Sequence, residues 1–175
     1  MKRYVAFLRG INISGKNKIS MSELKVEFEA AGFLEVSTYL NSGNVAFSSD
    51  ADDIESVIEK MIADKFGFKV SVYVILMDEL IAILSNSPEW WGSGDKNKYD
   101  NLIFILSSDT PEDILALVGE PSEGLETIQI YKNVIFWTFD RSDYQKCNWW
   151  KKTASAGIAD KLTIRTANTV KKICK

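Results

Sequence analysis

The period of the apolar positions changes repeatedly along this chain. Tyr4-Val5-Ala6-Phe7-Leu8 is an unbroken apolar run, so Arg3 to Arg9 reads as a strand, and a polar loop follows from Gly10 to Ile19. Met21, Leu24 and Phe28 then recur at helical intervals until Gly32. Ser20 precedes Glu23 in capping-box spacing, which marks the helix start. Val36 to Leu40 and Val45 to Ser48 flank Asn41-Ser42-Gly43-Asn44, a hairpin connection in which Gly43 supplies positive φ. Ile54, Val57, Ile58, Met61 and Ile62 predict a second helix ending near Gly67. Lys69 to Met77 reads as a strand, with Asp78 capping a short helix through Leu84.

Ser85 to Asp100 breaks this rhythm with Pro88, Trp90-Trp91, Gly92 and Gly94, and reads as a connection. The order of elements then repeats. Asn101 to Leu106 is a strand, and Thr110-Pro111-Glu112 opens a helix through Leu117. Thr127 to Tyr131 and Val134 to Phe139 form a hairpin around Lys132-Asn133. Ser142 to about Ser155 reads as helix, Leu162 to Arg165 as a short strand, and Asn168 as the cap of a last helix through Cys174. The expected fold is therefore α+β: two duplicated ferredoxin-like βαββαβ subdomains with mainly antiparallel sheets, residues 1–86 and 101–175, joined by 87–100. Several strands are apolar at nearly every position instead of alternating, so both sheet faces should be covered, by the other half or by a partner chain.

With 175 residues and 46% hydrophobic content the chain can bury a real core. No apolar run is long enough for a signal core or a membrane span, and we expect a cytoplasmic protein with no membrane contact. Histidine is absent, which removes Ser-His and Cys-His nucleophile pairs and histidine-ligated metals. Cys147 and Cys174 have no metal spacing and read as ordinary reduced thiols. We expect neither metal nor cofactor. The net charge of −3 is unevenly spread: Arg141 to Lys175 holds nine basic residues against two acidic ones, and the rest 12 against 22. That basic end either meets an anionic partner or docks on the acidic remainder.

Three segments are candidates for chemistry. The loop Arg9 to Lys18 combines two glycines with Arg9, Lys16 and Lys18, a composition that suits phosphate or carboxylate. Gly10 to Asn17 spells G-x-x-x-x-G-K-N, close to a nucleotide-hydrolase phosphate loop. Asn17, however, stands where Ser or Thr should bind magnesium, and the helix signal comes late, at Ser20. With the hairpin, the candidate ligand set is Arg9, Asn12, Lys16, Asn17, Asn41, Ser42 and Asn44; the plain alternative is turn chemistry. Trp149, Lys151, Lys152, Arg165 and Asn168 form a second set, suited to single-stranded nucleic acid or an anion, with a core role for the tryptophans as the alternative. Ser22-x-x-Lys25 matches a serine-lysine spacing, in the ordinary first turn of a helix.

The segment R-Y-V-A-F-L-R-G-I-N-I-S-G-K-N-K-I-S-M-S-E-L, Arg3 to Leu24, together with T-Y-L-N-S-G-N-V-A-F-S, Thr38 to Ser48, resembles an uncharacterised family of bacterial conserved hypothetical proteins, domain of unknown function 1697. K-L-T-I-R-T-A-N-T-V, Lys161 to Val170, is similar to its closing signature, with Thr166 and Ala167 where many members have Asn and Trp. The resemblance implies two ferredoxin-like subdomains in a compact cytosolic protein and supplies no reaction. The reading from residues is a non-catalytic binding protein for a small anionic or nucleotide-like ligand at the first loop. Alternatives are single-stranded nucleic-acid binding at the basic end, an enzyme using lysine or carboxylate, and a self-association module.

Overall fold

A computed structural model describes all 175 residues. Contacts divide the chain into two units, Met1–Ala82 with Ile173–Lys175, and Ile83–Lys172. The first contains β1 (Lys2–Leu8), α1 (Met21–Ala30), β2 (Leu34–Tyr39), β3 (Asn44–Ser49), α2 (Ile54–Phe66) and β4 (Val72–Leu76), followed by α3 (Met77–Ser85), which runs across the boundary. Its sheet has the order β2-β3-β1-β4 and every pairing is antiparallel. The order of elements matches the sequence reading, except that α3 begins at Met77, so Asp78 lies within its first turn and does not cap it.

Local chemistry explains the element ends. Ser20 Oγ accepts from the Glu23 amide at 3.2 Å and donates to its carboxylate at 2.7 Å, opening α1. Gly67, at φ +77, closes α2. The inward residues of the two helices, Leu24, Phe28, Ile54, Ile58 and Ile62, lie on one core with Phe33, Val45 and Phe47. Phe47 is its centre, with ring centroids of Phe33, Phe28 and Tyr4 at 4.7, 5.5 and 5.8 Å. Burying each such side chain contributes about 1.5–3 kcal/mol. Val5, Ala6, Phe7 and Leu8 are all fully buried, so both faces of β1 are covered.

The second unit holds β5 (Lys98–Ile105), α4 (Pro111–Val118), β6 (Glu126–Tyr131), β7 (Val134–Asp140), α5 (Asn148–Thr153), β8 (Leu162–Thr166) and α6 (Ala167–Ile173), whose last residue falls beyond the boundary. The sheet order β6-β7-β5-β8 repeats the first. Thr110 and Asp113 form a reciprocal capping box with Pro111 in the first turn of α4.

In the second unit two further predicted elements differ. The single helix expected from Ser142 to Ser155 is a 3-10 turn, Tyr144–Lys146, an extended Cys147, and only then α5. The break has a physical cause. The buried Glu126 carboxylate takes the Trp149 amide at 3.0 and 3.2 Å, and Ser122 Oγ takes the Asn148 amide at 3.0 Å, so these donors are satisfied from outside the helix. Likewise α6 starts before Asn168: Thr166 Oγ1 accepts from the Thr169 amide at 3.3 Å and performs the capping assigned to Asn168.

Gly43 sits at φ +80 where the β2–β3 hairpin crosses the first strand, and its carbonyl accepts from the Leu8 amide at 2.8 Å. A Cβ there would stand 2.7 Å from Leu8 Cβ and 2.9 Å from Ile11 Cδ1. Gly43→Ala should therefore cost about 2–4 kcal/mol through backbone strain and overpacking. Urea denaturation should give a lower midpoint at unchanged slope, and a midpoint equal to wild type would contradict this packing.

Candidate functional site

The loop after β1 is shaped by left-handed backbone. Gly10, Asn12, Ser14, Gly15 and Asn17 all have φ between 49 and 75, a region where asparagine is tolerated better than most side chains. The asparagine amides hold this path. Asn12 Nδ2 donates to the carbonyls of Ile19 and Asn41, both at 2.8 Å, while its Oδ1 accepts from the Ile19 amide at 2.9 Å. Asn17 Nδ2 donates to Gly10 O at 3.0 Å. Asn44 is fully buried and donates to Tyr39 O and Ser42 Oγ. Asn12 thus ties the loop to the hairpin, but its polar atoms serve the backbone. The near-match to a phosphate loop leads into a bridge between Ile13 and Lys16 and reaches no helix until Ser20.

Beside this loop lies a cleft of about 520 Å³. Arg9, Gly10 and Asn17 form one wall, Glu59 and Lys60 of α2 another, and Lys69 to Ser71 the third. Lys69 is exposed and makes no ion pair, Lys60 pairs with Asp64, and Glu59 Oε1 accepts from the Val72 amide at 3.1 Å. Of the seven residues expected from sequence, Arg9 and Asn17 line the cleft. Asn12, Asn41, Ser42 and Asn44 belong to the supporting loop and hairpin, and Lys16 is exposed outside it. Lys60 and Lys69 carry no sequence signal because they come from elements remote from the loop.

The duplication provides an internal comparison. Beyond the pair Leu8↔Val72, the Arg9 amide donates to Ser71 O; beyond Ile105↔Leu162, the Leu106 amide donates to Lys161 O. Arg9 thus corresponds to Leu106 and Ser71 to Lys161. In the second unit the cation at this strand end is neutralised, since Lys161 Nζ lies 2.5 Å from Asp109 Oδ2. Hydrogen bonds from Lys161 and Ser107 hold the Asp109 carboxyl below the usual carboxylate range. At the corresponding place the first unit has a cleft whose lining includes Arg9 and Lys69.

The second set separates. Trp149 is fully buried with its indole N–H on Gly119 O at 2.9 Å, so it offers no face to a base. Arg165 is also inside, donating to Thr163 Oγ1 and Ile164 O at 3.0 Å, and burial pulls its pKa down to about 10. These two are core residues and cannot serve as surface contacts, whereas Lys151, Lys152 and Asn168 are exposed. Burial pushes both thiols up to about 11, and burial, then Glu79 and Glu55, pushes Tyr73 to about 12. All three keep their protons at neutral pH. No group of three His, Cys, Asp or Glu side chains is placed to hold a metal, and no helix is long and apolar enough to cross a membrane.

Fold and cleft define a protein of two ferredoxin-like units with a cation-lined opening at the end of its first strand. The chain belongs to the family described as protein of unknown function (DUF1697), which matches residues 1–136, in agreement with the motifs at Arg3–Leu24 and Thr38–Ser48. It is similar to the structure of the conserved bacterial protein SP0830 from Streptococcus pneumoniae, with 30% identity and a TM-score of 0.84, over 99% of this chain and 97% of that one. No curated protein matches.

Two outcomes follow. Because the folded-state pKa of Asp109 is depressed, its ionised form stabilises the fold above the usual carboxylate pKa, and this is lost as pH falls through the depressed value. Asp109→Asn should lower the melting midpoint at pH 7, with the difference closing in acid; a pH-independent difference would show that the ion pair is not its source. Fully buried Cys147 should resist alkylation at pH 8 until the chain is unfolded. Native-state modification at the rate of a free thiol would contradict the burial.

Proposed function

We propose that the protein binds, without transforming it, a small ligand carrying a phosphate or carboxylate in the cleft between the β1–α1 loop, α2 and the start of β4. The reading is supported chiefly by one observation. Arg9, Lys60 and Lys69 surround a cleft whose single lining carboxylate, Glu59, is already engaged by the Val72 amide. An anion entering there gains charge-assisted hydrogen bonds, each worth roughly 1.5–3 kcal/mol. Lys60 exchanges an exposed ion pair with Asp64, which is worth little in water, for a ligand held in a concave site. Asn17 contributes at the rim, and Asn12, Asn41, Ser42 and Asn44 act by holding the loop in shape. Lys16 and Lys18 add to the local field from outside the cleft.

Inorganic pyrophosphate is a suitable probe. At a concentration of about 100 Kd it should raise the melting midpoint by about 5–10 °C. Lys69→Ala and Lys60→Ala, both at exposed positions, should each lose at least half of that shift, and the double variant nearly all of it. Asn12→Ala should lower stability in the absence of ligand. Equal shifts in wild type and the double variant would remove the cleft as the binding site.

A further inference from the structure

We infer that the second unit carries its own ligand site, independent of the cleft in the first, for a planar aromatic group bearing an anion, of the size of a nucleoside monophosphate. The duplicated fold makes the argument, because corresponding positions of the two sheets can be compared.

In the second unit, the helix that follows the hairpin is α5, of 6 residues, where the first unit has α2, of 13. At 1.5 Å per residue these span about 9 and 20 Å, and the Tyr144–Lys146 turn, with Tyr144 packed on the same core, covers part of the remainder. The strands there carry aromatic side chains. Tyr99 pairs with Phe139 across β5 and β7, at the place occupied in the first sheet by Lys2 opposite Ser49. The Tyr99 and Phe139 rings stack at 5.3 Å, and Trp150, 42% exposed, meets Phe139 edge-on at 5.5 Å. A cleft of about 320 Å³ opens among Tyr99, Trp150, Ile164 and Thr166.

Tyr99 and Thr166 also line a second cleft, of about 440 Å³, whose walls include Lys96, Lys98, Arg141 and Lys171, with Asp95 and Asp100. Both acids are engaged. Asp100 accepts from the Gly92 amide at 2.9 Å and from Thr138 Oγ1 at 2.6 Å, and Asp95 from the Asn97 amide at 2.9 Å. Lys98 pairs with Asp140 at 3.0 Å, and Lys171 donates to Gly92 O at 2.6 Å. Lys96 is exposed and unpaired, Arg141 uses Nε on Lys98 O and lies over Tyr99 at 4.7 Å, and Asn168 is exposed at the rim. An aromatic shelf thus adjoins a cationic cleft through shared residues. Phe139 is buried and the Tyr99 ring is engaged by Phe139 and Arg141, so the exposed Trp150 is the ring open to a ligand. A planar group laid on it in the smaller cleft directs its phosphate toward Lys96 and Arg141, combining stacking with charge. The two volumes suit one nucleotide and not a strand.

The test is calorimetric titration of the full-length chain, at fixed ionic strength, with AMP, adenosine and inorganic phosphate. It uses wild type, Lys69→Ala, Trp150→Ala, Trp150→Phe and Lys96→Ala, each checked for folding by circular dichroism. AMP should bind more tightly than phosphate or adenosine, and Lys69→Ala, which weakens the first-unit cleft, should retain this. Trp150→Ala should weaken AMP about tenfold and leave phosphate unchanged. Trp150→Phe should restore much of the loss, and Lys96→Ala should weaken AMP and phosphate but not adenosine. Equal affinity for AMP and phosphate, AMP binding insensitive to both Trp150→Ala and Lys96→Ala, or affinity that climbs with each nucleotide added to an oligomer would each overturn the proposal. Loss of AMP binding in Lys69→Ala alone would assign AMP to the first unit and likewise end it.

Discussion

The architecture of the second unit depends on one buried carboxylate. Glu126, at the first position of β6, receives the Ser122 amide, the Trp137 indole N–H and the Trp149 amide. A carboxylate withdrawn from water demands such donors, and here they come from a turn, a neighbouring strand and a helix start. The helix cannot begin earlier, because its first amides are held in place by Glu126 and Ser122. Its short length, the burial of Trp149 and the outward position of Trp150 all follow from that anchoring.

Duplication of a fold gives two copies of every position and lets them diverge. At the end of the outer strand pair one copy has closed an ion pair, Lys161 with Asp109, and the other has Arg9 and Lys69 about a cleft. At the opposite strand end the asymmetry reverses: Lys2 faces Ser49 in one sheet, Tyr99 faces Phe139 in the other. The second solution extends the core of its unit to the strand end, since Phe139 is buried there with Trp137 and Tyr99 packs against it, whereas Lys2 and Ser49 take no part in the core around Phe47.

Much of this was legible from the order of residues, and the failures are instructive. Strands with continuous apolar runs, the Ser20–Glu23 and Thr110–Asp113 caps and the Gly43 hairpin are local signals, and local interactions produce them. The helix break at Cys147 is not local: it depends on Glu126 and Ser122, more than twenty residues upstream, so no window around Ser142 to Ser155 contains it. The candidate loop was found through its composition, yet Asn12 and Asn44 proved to be bonded to backbone, because a side-chain amide reads the same whether it serves a ligand or a turn. Lys60 and Lys69 enter the cleft from distant elements: the antiparallel pairing of β1 with β4 brings Lys69 beside Arg9, and Lys60 comes from α2. Trp149 and its neighbour Trp150 have opposite fates, buried and exposed, because successive residues point about 100° apart on a helix.

The asparagine-braced loop after β1 has a kinetic consequence. Its backbone is already fixed by Asn12 and Asn17, so an incoming molecule need not freeze it, and the ordering penalty that flexible receptors suffer on association is small. For the anion proposed above, such a rigid rim would place the differences between guests in how long each stays and not in how fast each arrives.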